Sequence, residues 1–423
     1  MKNSIISGLL AATLTLGAYA QSGTNSPYSQ YGLGILSDQS QGFNRGMNGV
    51  GLGLRMGDIV NALNPASYSA IDSLTMIFDV GLSGQITNFK EGGKRINANN
   101  ADFEYAVGAF RAMPHLGVSF GLLPLTNIGY NYGGTTYLNS TIGSVPATFS
   151  GSGGLHQLFV GAGWNPVKPL SVGVNVSYLW GNYTKKAAST GTTMVNALSK
   201  SYTANISSFH LEFGAQWEQR LNRANTLTLG ATMSLRHKLG ADPECTITNT
   251  NSATGVTDTT TQVVKNGLEM PMTMGVGLAW NYRQRLTVAA DVTLQKWGDL
   301  SFPAYDDDTE QYALRDGLLK NRTKVNFGID YIPNPADPRH FFNHVHYRLG
   351  AGFATPYYII NGQDGPKEFS VSGGFGVPVG RSMLNISAQW AHASATNLIT
   401  ENTFRINIGL TFNERWFAKW RVD

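Results

Sequence analysis

The histidines His340, His344 and His346 fall within seven residues and make up three of the eight in the chain. Imidazole nitrogens are good transition-metal ligands, so the cluster is a candidate metal site. On a strand, however, His344 and His346 would share one face near a strand end, where pairing with neighbouring groups explains them as well. Asp306, Asp307, Asp308 and Glu310 offer carboxylate oxygens of the kind calcium takes. They lack the glycine and the spaced ligands of a recognised loop, which favours a solvated turn. Asp291, Lys324, Asp330, Arg348 and Arg405 stand at alternate positions of apolar-polar segments. They form either a selectivity ladder for solutes or structural pairs, and pairing is favoured because unpaired charge inside a filled lumen is costly. No nucleophile elbow or other catalytic signature is present, so neither an enzyme nor a cofactor is expected.

These residues must be positioned by strands. Leu286, Val288, Ala290, Val292 and Leu294 alternate with Thr287, Ala289, Asp291, Thr293 and Gln295. Phe404, Ile406, Ile408, Leu410 and Phe412 alternate with Arg405, Asn407, Gly409 and Thr411. Such a period of two puts one face in an apolar medium and the other in a polar one. The pattern recurs to give about fourteen strands, an even number as in single-chain outer-membrane barrels. Long polar connections (90–101, 139–152, 184–200, 240–261, 298–320 and 392–401) take turns with tight ones (111–115, 165–169, 219–225, 282–285 and 380–382). This is the rhythm of a closed transmembrane antiparallel β-barrel, in which lipid forbids an open edge. Residues 333–343 are long for a short-side turn, and 361–366 short for an outer loop. The outward faces end in Trp164, Trp180, Trp217, Trp280, Tyr331 and Trp390, where an amphipathic ring suits the headgroup level.

The start of the chain is of another kind. Residues 1–20 read as a cleavable export signal, with Lys2, an apolar run and the ending Ala18, Tyr19, Ala20. Residues 21–73 are dominated by a glycine-punctuated apolar stretch, running from 49 to 74 at the barrel's start, that is not a strand and carries Leu52, Leu54 and Leu63 before Asn64, Pro65 and Ala66. The expectation is a plug inside a barrel formed by residues 74–412, with a periplasmic aromatic and basic tail at 413–423. In that tail Trp416, Phe417 and Trp420 either sit at the membrane edge or dock a partner. Cys245 is the only cysteine, so no internal disulfide is available, and a formal charge of +4 is too small to argue for nucleic acid.

Asn64, Pro65 and Ala66 after the glycine-rich segment, the strand count, and the proline-interrupted stretch around Pro124 resemble the FadL family of long-chain fatty acid and hydrophobic-compound transporters. Residues 26–34 and the Trp416-Phe417 tail are similar to divergent members from Bacteroidota outer membranes. The resemblance implies an integral outer-membrane barrel with both termini periplasmic or luminal, whose N-terminal plug gates passive uptake of a hydrophobic or amphipathic molecule. By position, Asn64, Pro65 and Ala66 would belong to the exit of the plug into the wall and Pro124 to a wall kink. The inward positions depart from that pattern: Glu104, Asn175, His210, Glu212, Asp291 and Arg348 make the lumen polar, so apolar ligand surface would have to come from the plug. The alternative is a non-transporting barrel, a scaffold or subunit of an outer-membrane protein export or assembly complex. Some relatives of the family, such as the shuttle barrel of type IX secretion, are of this kind.

Overall fold

A computed structural model describes residues 23–139, 143–191, 195–337 and 339–415. The export signal and Trp416, Phe417 and Trp420 lie outside the described residues. Fourteen antiparallel strands close on themselves. They are β1 (Met76–Glu91), β2 (Lys94–Met113), β3 (Leu116–Asn139), β4 (Gly143–Val167), β5 (Leu170–Ser189), β6 (Ala197–Arg220) and β7 (Asn225–Ser234). There follow β8 (Thr273–Tyr282), β9 (Leu286–Gln295), β10 (Arg322–Tyr331), β11 (His346–Ala354), β12 (Lys367–Val379), β13 (Ser382–Ser394) and β14 (Thr400–Glu414). Each pairs with its successor, and β14 closes the barrel on β1 with Met76 opposite Glu414 and Lys90 opposite Thr400. No helix among the described residues is long and apolar enough to cross a membrane.

The outward side chains form an apolar band: Leu158, Val160 and Trp164 on β4, Val172 and Val176 on β5, and Phe209, Leu211 and Phe213 on β6 are exposed. Trp164, Trp217, Trp280 and Tyr331 ring its short-turn end, and Trp180 and Trp390 its long-loop end. On a closed barrel this places the chain in the outer membrane.

Three connections expected as polar loops, 90–101, 139–152 and 184–200, are for the most part strand. Strands β3 to β6 continue well past the band, and the hairpin Glu244–Thr250 with Thr257–Val263 extends the same sheet from β6. Beyond lipid the outer face meets water, so Ser and Thr replace Val and Leu there while the ladder of backbone bonds goes on. The apolar alternation therefore fades before the strand does. The final strand likewise runs to Glu414 rather than ending at Phe412.

Candidate functional site: the filled lumen and the seam in the wall

Much of the segment 23–71 is buried and bonded to inward residues of the barrel wall. At the short-turn end, Asn64 caps the 3-10 turn Pro65–Ala70, its side-chain oxygen accepting from Ala66 N at 3.1 Å while Nδ2 donates to Leu52 O at 2.8 Å. Asn64 and Ala66 are fully buried. The wall is made of glycine where this turn lies on it: a Cβ on Gly173 of β5 would meet Ala66 N at 2.6 Å, and one on Gly214 of β6 would meet Pro65 Cδ at 2.8 Å. The apolar-polar alternation gives these glycines no role of their own; in the structure they are the seat of the turn. Leu52 and Leu54 are buried, Leu54 in a cluster with Phe43, Met47, Val50 and Ile59, and Leu63 is half-buried.

Further in, charge holds the segment. Asp291 Oδ2 accepts from the backbone N–H groups of Gly51 (2.6 Å) and Leu52 (2.9 Å). Arg45 Nη2 donates to Glu104 Oε2 and Nη1 to Asn407 Oδ1, both at 2.9 Å. Glu104 faces inward together with its neighbour Tyr105, because a bulge in the β1–β2 register turns both to the lumen. Tyr105 then accepts from Gly42 N (2.6 Å) and donates to Asp79 (3.1 Å). Arg348 lies 4.0 Å over the Phe43 ring and donates to Asp330 (2.9 Å) and Asn385 (2.6 Å). Of the inward charges, Asp330 and Arg348 are thus a structural pair and Asp291 is tied to the N-terminal segment, whereas Arg405 donates to the neutral Gln85 and Lys324 lines the cavities.

The histidine cluster is not assembled. His346 Nδ1 lies 2.9 Å from Asp330, whereas His340 pairs with Asp337 and His344 contacts Asp337 O within the 332–345 turn. His344 therefore does not share a strand face with His346: the strand begins only at His346. Asp306 and Asp307 of the acidic run take Arg315 and Lys200 as partners.

The wall has a seam. Strands β2 and β3 pair only as far as Ala106 opposite Leu122, and Pro124, buried, stands just beyond, next to a bulge at Leu125. Past that point the residues Ile35–Leu36 pair with Asn127 and Thr126 in place of β2, and Ser37 N donates to Leu125 O at 3.0 Å. Above the seam, Tyr28 and Leu33 join Leu239, Trp297, Tyr357 and Tyr358 in an apolar cluster that fills the long-loop end. Lys185 of β5 closes over it, donating to Gly32 O at 2.6 Å. Two lumen cavities, of about 190 and 130 Å³, meet at Asp38, Arg322 and Lys324 and are bordered chiefly by polar side chains.

The family model described as BamG matches residues 1–423. The chain belongs to the BamG family. No curated protein sequence matches it. Among solved structures, this BamG-family barrel is similar in fold to the Pseudomonas putida toluene transporter TodX (TM-score 0.63, 16% identity, covering 89% of this chain and 98% of that one). It is similar also to the Ralstonia pickettii toluene transporter TbuX (0.61, 14%, 90% and 98%) and to a Pseudomonas aeruginosa FadL homologue (0.61, 10%, 89% and 99%). The FadL-like architecture read from the sequence is therefore that of the BamG-family chain.

Proposed function

We propose that this protein is a plugged, non-transporting outer-membrane barrel that serves as a structural subunit of an outer-membrane protein assembly or export complex. The observation that carries the reading is the apolar cluster at the long-loop end: Tyr28, Leu33, Trp297, Tyr357 and Tyr358 fill with the chain's own side chains the space an apolar ligand would need. The cavities that remain are polar. Membership of the BamG family weighs the same way. In this reading residues 21–73 are a fixed plug with Asn64, Pro65 and Ala66 as its seat. The short turns and the end of β14 face the periplasm, as short turns do in such barrels, while the first described residues, beside Gln85 and Ile399, lie in the lumen. The tail with Trp416, Phe417 and Trp420 is then available to a periplasmic partner.

A second reading, passive uptake of a hydrophobic or amphipathic small molecule, is favoured by the seam at Pro124 and by a fold shared with hydrocarbon transporters. There the plug would gate the path through Leu52, Leu54 and Leu63, and the seam would be the exit. Native purification in mild detergent separates the two, with lipid extraction and protein mass spectrometry on one sample. Stoichiometric partner proteins and an empty lumen are the expected result. A stoichiometric apolar ligand without partners would reverse the order of the two readings.

A further inference from the structure

The sheet that rises from β3 to β6 does not end at the barrel. Glu244 to Thr250 pair with Thr203 to Ala197 of β6, and the returning strand Thr257–Val263 pairs with them in turn. On its far side Thr257–Val263 has no strand partner among the described residues. Residues 257–261 are exposed throughout. Only the lower end is covered: Gln262 Nε2 donates to Glu310 O at 2.9 Å, and its Oε1 accepts from Tyr312 N at 2.6 Å. The strand itself is regular. Thr246 and Thr261 (3.2 Å) and Thr250 and Thr257 (3.0 Å) join hydroxyls across the ladder, keeping the edge straight to its tip.

An open edge offers a row of unpaired N–H and C=O groups, which proteins usually blunt with proline, lysine, a bulge or a short strand. Here there is no proline, no lysine and no bulge, and four of the seven residues are threonine, which favours a strand. The last apolar outward residue of the band on β6, Phe209, lies several residues below Thr203, so the edge stands in water beyond the bilayer.

Resting on the scaffold reading, we propose that residues 257–261 are a docking edge at which an extended segment of a different protein, bearing Lys or Arg, adds as a further strand. Charge sets the chemistry of the partner. The carboxylates of Asp258, Asp308 and Glu310 lack a cationic partner among the described residues, and Glu310 adjoins the edge through Gln262. A second copy of this chain fits poorly. A two-fold axis along the membrane normal keeps strand direction, so self-pairing in one bilayer would be parallel, the weaker ladder, with Asp258 facing its own kind.

The test is a photo-crosslinking amino acid placed singly at 257, 258, 259, 260 and 261 of the full-length protein in the native cell, with the crosslinked peptide read by mass spectrometry. Strand addition predicts one partner protein, a Lys- or Arg-bearing peptide, and a partner position that moves by two residues for each two-residue step here. Thr259→Pro and Thr260→Pro sharpen it. Successive N–H groups point to opposite edges, so the variant that removes the outward donor should lower crosslinking about tenfold while heat-modifiable migration of the barrel persists. No crosslink, crosslinks to lipid only, or crosslinks to a second copy would overturn the proposal. If partners still co-purify natively in that case, the scaffold reading stands without this edge; if none do, both fall.

Discussion

Asp291→Ala tests how the N-terminal segment is held. The carboxylate takes two buried backbone N–H groups, those of Gly51 and Leu52, and is itself buried on β9. Leaving a buried donor without a partner costs about 1–3 kcal/mol, hence about 2–6 kcal/mol for the two. The adjoining cavity of about 130 Å³ has room for water to rescue part of this. The lower end of the range applies, about 2–3 kcal/mol. Local opening of residues 49–56 should then rise about 30- to 150-fold, since about 1.4 kcal/mol is a factor of ten. The assay is hydrogen-deuterium exchange by mass spectrometry on the purified barrel, comparing peptides over 49–56 with those over 64–70. The faster exchange should be confined to the first set, because Asn64 and the glycine seat are untouched. Asp291→Asn, which keeps one acceptor, should fall between. Exchange at 49–56 within twofold of wild type, in a barrel that still migrates as folded, would refute the argument that this carboxylate pins the segment.

Three further expectations follow from the same geometry. Gly173→Val should unseat the turn Pro65–Ala70, exposing it to limited proteolysis, while Gly84→Val, where a Cβ meets nothing within 4 Å, should not; equal proteolysis of the two would show that the seat is not tight. Arg45→Ala leaves the Glu104 carboxylate buried without its cation and should destabilise by about 3–5 kcal/mol, read as a lower unfolding midpoint in urea, with Glu104→Gln in the same chain restoring part. Hydrogen bonds from Arg339 N–H, then from His340 and Asn343, hold the Asp337 carboxyl below the usual carboxylate range. Its contribution to the 332–345 turn is therefore present above the ordinary carboxylate pKa and lost as pH falls through the lowered one. Proteolysis of that turn should stay slow at mildly acidic pH and accelerate only on further acidification, and Asp337→Asn should abolish the change.

What the sequence disclosed follows from the contrast between two media. Along β9 and β14, lipid on one side and a polar lumen on the other write a period of two that counts the strands correctly. Where that contrast ends the signal ends too, so residues 143–152 of β4 and the hairpin strands within 244–261 looked like loops although they are regular sheet. The inward charges were visible, but their partners were not. Arg45 and Glu104 are 59 positions apart and meet only because a bulge turns Glu104 and Tyr105 to the same side. The role of Gly173 and Gly214 was hidden for a similar reason: nothing in an isolated strand tells that another backbone lies on it. A repeated glycine at inward positions of adjacent strands was the one available sign.

The ties on the N-terminal segment lie at three heights and on different strands. At the top, Gly32 O accepts from Lys185 of β5, and Tyr28 OH donates to Ile399 O at 2.5 Å. At the middle, Ile35–Leu36 substitutes for a missing strand pairing against β3. At the base, Asn64 and Pro65 rest on the glycines of β5 and β6. Moving the whole segment out would break all three sets at once, and would also strip Arg45 and Asp291 from buried partners, a combined cost that the modest affinity of a small apolar solute cannot offset. Any gate in this barrel would therefore have to be local, confined to residues 49–57 between the middle and base ties, with the cap and the seat left in place. Asp291, together with Gln216 of β6, whose Nε2 donates to Leu52 O and Leu54 O, opposes such a local opening. Removal of the Asp291 carboxylate is therefore a perturbation that separates a fixed plug from a gated one: increased exchange without ion conductance in a planar bilayer means a plug that only fills, and increased exchange with conductance means a path.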